Sequence, residues 1–266
     1  MAIQKGASWI ATALGHESPI VKGLRPCYEH ALLFMTLGRG ISWSINGVPC
    51  RIDPRQRHRM ARRYDEPVAS WLSSHVQPGD FCVNVGGNMG VYALQCAHWT
   101  GPNGRVVVFE PNPYARAILT RHLRYNDLSE RVEVVGAAVS DARGEATLFA
   151  EKGGDGMSRL GLPNHELSQT EPIKVPVVDL DSFFPKSPAW LVIDVEGFEL
   201  RVLQGARRII PQCKGMVVEL HPASWSLAGT SRADLEHLLA EHSLKMTALT
   251  GQKDPFTEYG NVLLQK

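Results

Sequence analysis

Acidic residues and one histidine follow several short apolar segments of the chain, at positions where strands of a sheet are predicted to end. They are Glu110, Asp194, Glu196, Glu219 and His221. In an open parallel α/β sheet, ligands bind outside the carboxyl ends of the strands, so these side chains are expected to converge on one edge. Carboxylates at that edge can accept hydrogen bonds from hydroxyl groups, and a histidine can take a proton near neutral pH. The pattern therefore predicts a site for binding and acid–base chemistry.

The glycine-rich turn at 85–90 indicates what such a site binds. It follows a predicted strand, Phe81–Val85, and precedes a predicted helix, Val91–Trp99. A second predicted strand, Arg105–Phe109, ends at Glu110, which lies 20 residues after Gly90. This order of strand, glycine turn, helix, strand and acid is typical of a βαβ unit that binds a nucleoside. The glycines make room for the ligand, and the carboxylate accepts hydrogen bonds from ribose hydroxyls.

The glycine spacing favours one kind of nucleoside. The dinucleotide pattern G-x-G-x-x-G, aligned on Gly87 and Gly90, requires a first glycine where this chain has Val85. An NAD-dependent oxidoreductase is therefore disfavoured. A P-loop is excluded because no Gly-Lys-Ser/Thr follows the turn. S-adenosylmethionine, which carries an adenosine without phosphates, fits the pattern best.

The elements around these motifs predict an α/β protein. From residue 64 onward, apolar strands alternate with helices, which is typical of a parallel, doubly wound sheet. Two closing strands are predicted at 244–249 and 261–264. Near the N-terminus, the dipeptide Asn46-Gly47 predicts a two-residue hairpin turn. We therefore divide the chain into an N-terminal extension, 1–63, that contains the hairpin, and a ligand-binding domain, 64–266.

Composition limits the kinds of binding partner that this chain is expected to have. Hydrophobic residues make up 44% of the chain and the net charge is +1, which argues against a broad electrostatic partner such as duplex DNA. The arginines clustered within 51–63 are interpreted as a solvated turn and helix start rather than a phosphate site. Five scattered cysteines indicate neither a disulfide framework nor a zinc site, and they favour a reducing cytoplasm. No signal-type N-terminus and no apolar run of about 20 residues occurs, so no membrane partner is expected.

Four motifs together resemble a known family. They are VNVGGNMG at 83–90, VFEPNP at 108–113, AAVSD at 137–141 and IDVEGFE at 193–199. Over roughly residues 40–221 the chain is similar to the FkbM family of S-adenosylmethionine-dependent methyltransferases. The resemblance implies a Rossmann-like class I methyltransferase fold, with a seven-stranded, mostly parallel sheet, helices on both faces and an antiparallel last strand. It also implies O-methylation of a small-molecule hydroxylated acceptor, such as a sugar, a polyketide or another natural product.

The same resemblance implies a cofactor-binding set. It consists of Asn84, Gly86, Asn88, Gly90, Glu110, Pro111, Ala138, Val139 and Asp194. Glu110 would accept hydrogen bonds from the ribose hydroxyls, and Ala138 and Val139 would contact adenine. Asn84 stands where the family usually has aspartate, so an acceptor oxygen is kept but a negative charge is lost. Asn84 is also the one support for an alternative function, a non-catalytic nucleoside-binding module on the same fold.

Methyl transfer to an alcohol requires a base, and three residues are candidates. His221 comes first because its ordinary pKa lies near neutrality, and Asp194 and Glu196 are the alternatives. Asp194 is also a candidate for the cofactor's amino group, and Glu196 for a substrate hydroxyl. Asp194 with Glu219 is a candidate for a divalent ion, as in magnesium-dependent O-methyltransferases, but two carboxylates are too few to argue a full site.

Two segments are candidates for closing the acceptor site. The long polar segment at 151–171 is expected to cover the acceptor, with Met157 and Arg159 as candidate contacts. The N-terminal extension is expected to form another wall of the site or a contact in a homodimer. The sequence does not decide between these two roles.

Overall fold

The chain alternates helices and strands, as its hydrophobic pattern predicts. The computed structural model describes residues 18–151, 159–160 and 170–266. The helices of these residues are α1 (Pro19–Met35), α2 (Glu66–His75), α3 (Val91–Trp99), α4 (Pro113–Tyr125), α5 (Leu180–Phe183), α6 (Glu199–Gln204) and α7 (Arg232–Glu241). Short 3-10 helices lie at Pro54–Gln56, Ile210–Gln212 and Pro222–Ala228. The strands are β1 (Ile41–Ile45), β2 (Val48–Ile52), β3 (Phe81–Val85), β4 (Arg105–Phe109), β5 (Val132–Val135), β6 (Ala138–Val139), β7 (Gly144–Glu151), β8 (Arg159–Leu160), β9 (Thr170–Val178), β10 (Trp190–Ile193), β11 (Gly215–Leu220), β12 (Lys245–Ala248) and β13 (Gly260–Gln265).

Seven strands form the central sheet, in the order β12-β13-β11-β10-β3-β4-β5. The five strands from β11 to β5 run parallel, and β13 runs antiparallel to both β11 and β12. The parallel strands are near-continuous apolar runs, as expected for a sheet that is covered on both faces. The prediction of a seven-stranded, mostly parallel, Rossmann-like sheet with an antiparallel last strand is confirmed.

Helices cover both faces of this sheet because successive residues of a strand point to opposite sides. The buried cluster on the Cys82 side includes residues of α2, α3 and α4, among them Leu72, Ala93 and Leu119. The cluster on the Val83 side includes residues of α5, α6 and α7, among them Leu180, Leu200 and Leu235. Full burial of a leucine stabilises a fold by about 1.5–3 kcal/mol, so the two clusters hold the helices against the sheet.

The N-terminal extension packs on the helical layer. Strands β1 and β2 pair antiparallel, and Asn46 and Gly47 form the turn between them with φ of 50° and 82°. These positive values are those of the hairpin turn that the sequence predicts. Leu32 of α1 and Ile52 of β2 belong to the same buried cluster as α3. The division at residue 63 stays a prediction, and residues 1–17 lie outside the described part of the chain.

Ala138 and Val139 belong to a second sheet. The third parallel strand of the central sheet, β5, ends at Val135 and does not include them. Ala138 and Val139 form β6, which joins a four-stranded sheet in the order β6-β9-β7-β8. β5 is the edge strand of the central sheet, where it pairs with β4. After the four residues of β5, the chain leaves that sheet.

The segment at 151–171 is described only in part. Residues 152–158 and 161–169 lie outside the described residues, and this includes Met157. Arg159 belongs to β8. The expectation that this segment covers the acceptor therefore stays a prediction.

All five cysteines are free, and Cys82 and Cys96 are buried among apolar side chains. Across the described ranges, every helix falls short of the length and apolar character that a membrane-spanning segment requires.

Asp53 joins the N-terminal extension to the rest of the structure. Its carboxylate is completely buried and lies 2.6 Å from Arg55 Nη2 and 2.9 Å from Arg121 Nη1 of α4. Burial works against ionisation, but the hydrogen bonds and charge of Arg55, with the charge of Arg121, lower the pKa of Asp53 below its ordinary value. Nearby, the Asn126 side chain bonds the backbone N–H and C=O of Arg51, both at 2.7 Å.

Asp53→Asn is expected to lower the free energy of unfolding by about 2–4 kcal/mol, because two arginines lose the buried carboxylate that they share. The matched control is Glu66→Gln, which removes the acid of an exposed pair with Arg63. This control is expected to leave the free energy of unfolding unchanged. Urea unfolding followed by circular dichroism measures both variants. Equal effects of the two substitutions would contradict the prediction.

Candidate active site

The register of four parallel strands brings the candidate site together. Val85 of β3 lies opposite both Phe109 of β4 and Ile193 of β10, and Ile193 lies opposite Val218 of β11. The residues that follow these positions therefore lie side by side at one edge of the sheet. They are Gly86, Glu110, Asp194 and Glu219.

A cleft opens along this edge. Of the residues predicted to bind the cofactor, seven line the cleft: Gly86, Asn88, Glu110, Pro111, Ala138, Val139 and Asp194. Glu196 and the aromatic ring of Phe198 line it as well. The cleft thus combines an apolar wall with a few polar groups, as small-molecule sites commonly do.

Two predicted residues, Asn84 and Gly90, are not among the lining residues of this cleft. Asn84 is 1% exposed, and its Nδ2 donates to Val192 C=O at 3.4 Å. Its Oδ1 is buried and has no hydrogen-bond partner among the described residues. Gly90 caps the start of α3. Asn84 thus belongs to β3, and Gly90 ends the turn at the start of α3.

The glycine turn needs its first glycine for steric reasons. Gly86 has φ of +87°, and a Cβ there would lie 1.7 Å from the carbonyl oxygen of Asp194. Any side chain at Gly86 would therefore force β3 and β10 apart at the edge. Asn88 also adopts positive φ, at 43°, which asparagine tolerates better than most residues.

Glu110 holds the turn and keeps capacity for a ligand. Its carboxylate accepts from the backbone N–H of Asn88 at 2.6 Å and of Asn112 at 2.8 Å. A carboxylate has about four acceptor positions, so two remain. Burial raises the pKa of Glu110 to about 7, and the two backbone hydrogen bonds and Arg116 oppose that rise. The side-chain oxygen of Asn88 is buried without a partner among the described residues, which adds another acceptor at the cleft.

A second cavity lies next to the first at the glycine turn. The two cavities share Gly86, Asn88 and Asp194 as lining residues. The second is also lined by Tyr64, Tyr92 and Arg59, the last of which comes from the N-terminal extension. The rings of Tyr64 and Tyr92 meet edge to face, with centroids 5.7 Å apart.

The arginine cluster lies in a turn, and Arg63 at its end is 80% exposed, but other members of the cluster have specific partners. Arg55 pairs with the buried Asp53, and the guanidinium groups of Arg57 and Arg62 stack over the rings of Tyr28 and Trp43. Tyr28 and Trp43 lie far from these arginines along the chain, and no recognisable spacing marks Asp53 as the partner of Arg55. The pattern of arginines alone therefore could not indicate them.

His221 is held by a buried carboxylate. Its Nδ1 lies 2.9 Å from Oε1 of Glu199, and its Nε2 lies 3.5 Å from Oε2 of Glu196. Glu199 is completely buried and also accepts from the Gly197 N–H at 2.6 Å and the Trp225 Nε1–H at 3.2 Å. Since Glu199 accepts every one of these bonds, Nδ1 of His221 is the donor. In the neutral imidazole Nε2 then carries the lone pair, and this atom lies beside Glu196.

The pKa of His221 reflects two opposing effects. Burial of the imidazole favours the neutral form and lowers the pKa. The hydrogen bond to Glu199 and the negative charges of Glu199, Glu196 and Glu219 outweigh burial, so the pKa rises above its ordinary value. This environment strengthens the imidazole as a proton acceptor.

Asp194 and Glu219 share a crowded acidic environment. Burial, followed by the negative charges of Glu219 and Glu196, raises the pKa of Asp194 well above its ordinary range. Glu219 accepts from the Tyr259 hydroxyl and from Nδ2 of Asn261 at 3.3 Å. Ligand atoms of Asp194, Glu219 and His221 lie within 4.8 Å of one another. These three side chains therefore lie close enough together to act on one bound group.

Sequence reasoning missed three parts of the site. Glu199 lies inside the motif at 193–199 but was given no role. The feature that could have pointed to it is an acidic residue at the start of a helix. Tyr259 lies 5.0 Å from the His221 ring, centroid to centroid, and gave no signal. Tyr64 lines the second cavity and gave no signal in the sequence.

Known proteins resemble this chain. The hexuronic acid methyltransferase AglP of Haloferax volcanii is 25% identical over 209 residues, which cover 72% of this chain and 75% of that protein. Among solved structures, the methyltransferase FkbM from Methylobacillus flagellatus has 18% identity and a TM-score of 0.48, covering 70% of this chain and 43% of that one. This chain thus spans less than half the length of that protein. An O-methyltransferase from Bacillus cereus in complex with SAH has 15% identity and a TM-score of 0.41, covering 74% of this chain and 79% of that one.

A family profile covers the centre of the chain. The profile described as the methyltransferase FkbM domain matches residues 84–244, which is more than half of the 266 residues. The matched region includes the glycine turn, Glu110, Asp194, Glu199 and His221. The resemblance carried by the four sequence motifs is thereby confirmed, and the chain belongs to the FkbM family of methyltransferases.

Proposed function

We propose that this chain is an S-adenosylmethionine-dependent O-methyltransferase that acts on a hydroxyl group of a sugar or a related natural product, with His221 as the base. The observation that carries the proposal is the pairing of His221 with the buried Glu199 beside the cleft that Glu110 lines. The Haloferax volcanii relative, described as acting on hexuronic acid, supports a sugar-derived acceptor.

The residues of the cleft suit the cofactor. Glu110 has two free acceptor positions for the vicinal hydroxyls of a ribose, and Asn88 Oδ1 is a buried acceptor without a partner among the described residues. Ala138, Val139 and Phe198 form an apolar wall that suits an adenine ring. S-adenosylmethionine supplies a methyl group on a positively charged sulfur, which a hydroxyl oxygen can attack in line.

The chain's own residues align and deprotonate the acceptor. Nε2 of His221 would take the proton of the acceptor hydroxyl while the hydroxyl oxygen attacks the methyl group that the bound cofactor would supply, with S-adenosylhomocysteine as the leaving product. Glu199 fixes the tautomer that leaves Nε2 unprotonated, and its negative charge stabilises the imidazolium that forms. Glu196 lies close enough to His221 Nε2, at 3.5 Å, to bind a hydroxyl in the same space.

Binding of S-adenosylhomocysteine, measured by isothermal titration calorimetry, is expected to depend on the ionisation of Glu110. Because the pKa of Glu110 is raised to about 7, the carboxylate loses its charge as the pH falls. Affinity is therefore expected to fall about 10-fold between about pH 8 and about pH 6. Glu110→Gln is expected to bind more weakly and without this pH dependence, whereas His221→Asn is expected to keep it. Undetectable binding to the unmodified chain would refute the proposed cofactor.

His221→Asn is expected to reduce kcat by about 100- to 10,000-fold, because the general base is lost. Its affinity for S-adenosylhomocysteine is expected to stay within about 2-fold, since the imidazole is not among the lining residues of the cleft. The assay follows formation of S-adenosylhomocysteine with uronic acids and neutral methyl glycosides as acceptors, with and without EDTA. Unchanged kcat in the variant would refute His221 as the base, and loss of activity in EDTA would indicate metal assistance.

Glu199→Gln is expected to lower the pKa of His221, because it removes both the charge-assisted hydrogen bond and a buried negative charge. NMR titration of the imidazole measures the shift, and the acidic limb of the kcat/KM profile is expected to move with it. The control Glu236→Gln breaks an exposed pair with Arg232 and should leave the titration unchanged. Identical titration in all three proteins would contradict the role given to Glu199.

A further inference from the structure

Arg59 brings a positive charge into a cavity that otherwise belongs to the core of the fold. The second cavity is lined by Gly86 and Asn88 of the glycine turn, by Asp194 and by Arg59. Of the described residues that line it, Arg59 carries the one permanent positive charge and Asp194 the one carboxyl group. A cavity with a cation and a carboxyl group matches a ligand group that carries both signs of charge.

An α-amino acid is such a group. Its carboxylate is bound well by a guanidinium, whose planar fork forms two parallel charge-assisted hydrogen bonds. Its ammonium suits a carboxyl group such as that of Asp194. The two cavities are neighbours that share Gly86, Asn88 and Asp194 as lining residues, and Glu110 lines the first. One ligand with a ribose at one end and an amino acid at the other can therefore occupy both.

We propose that Arg59 binds the carboxylate of the amino-acid half of S-adenosylmethionine, while Asp194 receives its ammonium group. This inference rests on the proposed function, since it assumes that S-adenosylmethionine is the cofactor. It assigns a binding role to the N-terminal extension, which lies outside the region 84–244 that the family profile matches.

The local structure holds Arg59 in place before any ligand binds. Asp53 caps the 3-10 helix Pro54–Gln56 by accepting from the Arg55 N–H at 3.0 Å. The Arg59 N–H donates to Gln56 C=O at 2.9 Å, and its guanidinium donates to Gln56 Oε1 at 3.3 Å. A binding group that is already ordered loses less conformational entropy when the ligand arrives.

The residue after Arg59 anchors the same turn in the core. Met60 is completely buried, and its carbonyl oxygen accepts from Nε1 of Trp43 at 2.8 Å. Trp43 belongs to β1 of the hairpin, and Arg62 stacks over its ring at 3.9 Å. The hairpin therefore sets the position of Arg59 relative to the glycine turn.

Two ligands that differ in one carboxylate test the proposal: S-adenosylmethionine and decarboxylated S-adenosylmethionine. Calorimetry compares the full chain with Arg59→Met, Arg59→Lys and Arg63→Met. Arg63 is the matched control, because its side chain is 80% exposed and pairs with Glu66. Circular dichroism confirms that each variant is folded.

Arg59→Met is expected to weaken binding of S-adenosylmethionine by about 10- to 100-fold, as loss of a hydrogen-bonded charge does, and to leave the decarboxylated ligand within about 2-fold. Arg59→Lys should lose less affinity, and Arg63→Met none. The unmodified chain should itself prefer S-adenosylmethionine to the decarboxylated ligand, which keeps the test decisive if Arg59→Met does not fold.

Three results would overturn the proposal. Equal weakening of both ligands would make Arg59 a structural residue, and no weakening of either would remove it from the binding site. The third is the absence of any preference for the carboxylate in the unmodified chain. If the unmodified chain binds neither ligand, the proposed function fails as well. If the unmodified chain binds both ligands and substitution of Arg59 changes neither affinity, the proposed cofactor still stands and only the role of Arg59 is refuted.

Discussion

The in-register pairing of β3 with β4 and β10, and of β10 with β11, is the constraint on which the site depends. Backbone hydrogen bonds set Val85, Phe109, Ile193 and Val218 at one level, so the next residue of each strand reaches the same edge. A shift of one strand by one residue would turn its side chains to the opposite face. The close approach of Gly86 to the carbonyl of Asp194 exists only in this register.

This geometry places several acids in a small, partly buried space, and their charges must be compensated. Backbone N–H groups compensate Glu110, the Tyr259 hydroxyl and Asn261 compensate Glu219, and Asp194 responds with a strongly raised pKa. His221 compensates Glu199, and the same charges make its imidazole more basic. Proton affinity at the edge of the sheet is therefore a property of the group of residues, because each charge sets the ionisation of its neighbours.

The extent to which the sequence predicts this structure follows from the range of the interactions involved. Alternating apolar strands and helices locate the strand ends, and hence Glu110, Asp194 and His221, because that pattern is local. The contact between Glu199 and His221 spans 22 residues and requires the turn where Glu196 adopts φ of 54°. Tyr259 reaches Glu219 across 40 residues because β13 pairs directly with β11. Ala138 and Val139 reach the cleft from a second sheet, which the central pattern cannot indicate.

The site has two parts that depend on different kinds of packing. The glycine turn, Glu110, Asp194 and the proposed base lie within 84–244, the region shared with the family, and strand register positions them. Arg59 and Tyr64 lie before that region and Tyr259 lies after it. Arg59 depends instead on contacts of the N-terminal extension, such as the buried Asp53 and the Trp43–Met60 hydrogen bond. Strand register thus sets Gly86, Glu110 and Asp194, whereas Arg59 reaches the second cavity only when the extension packs correctly on the helices.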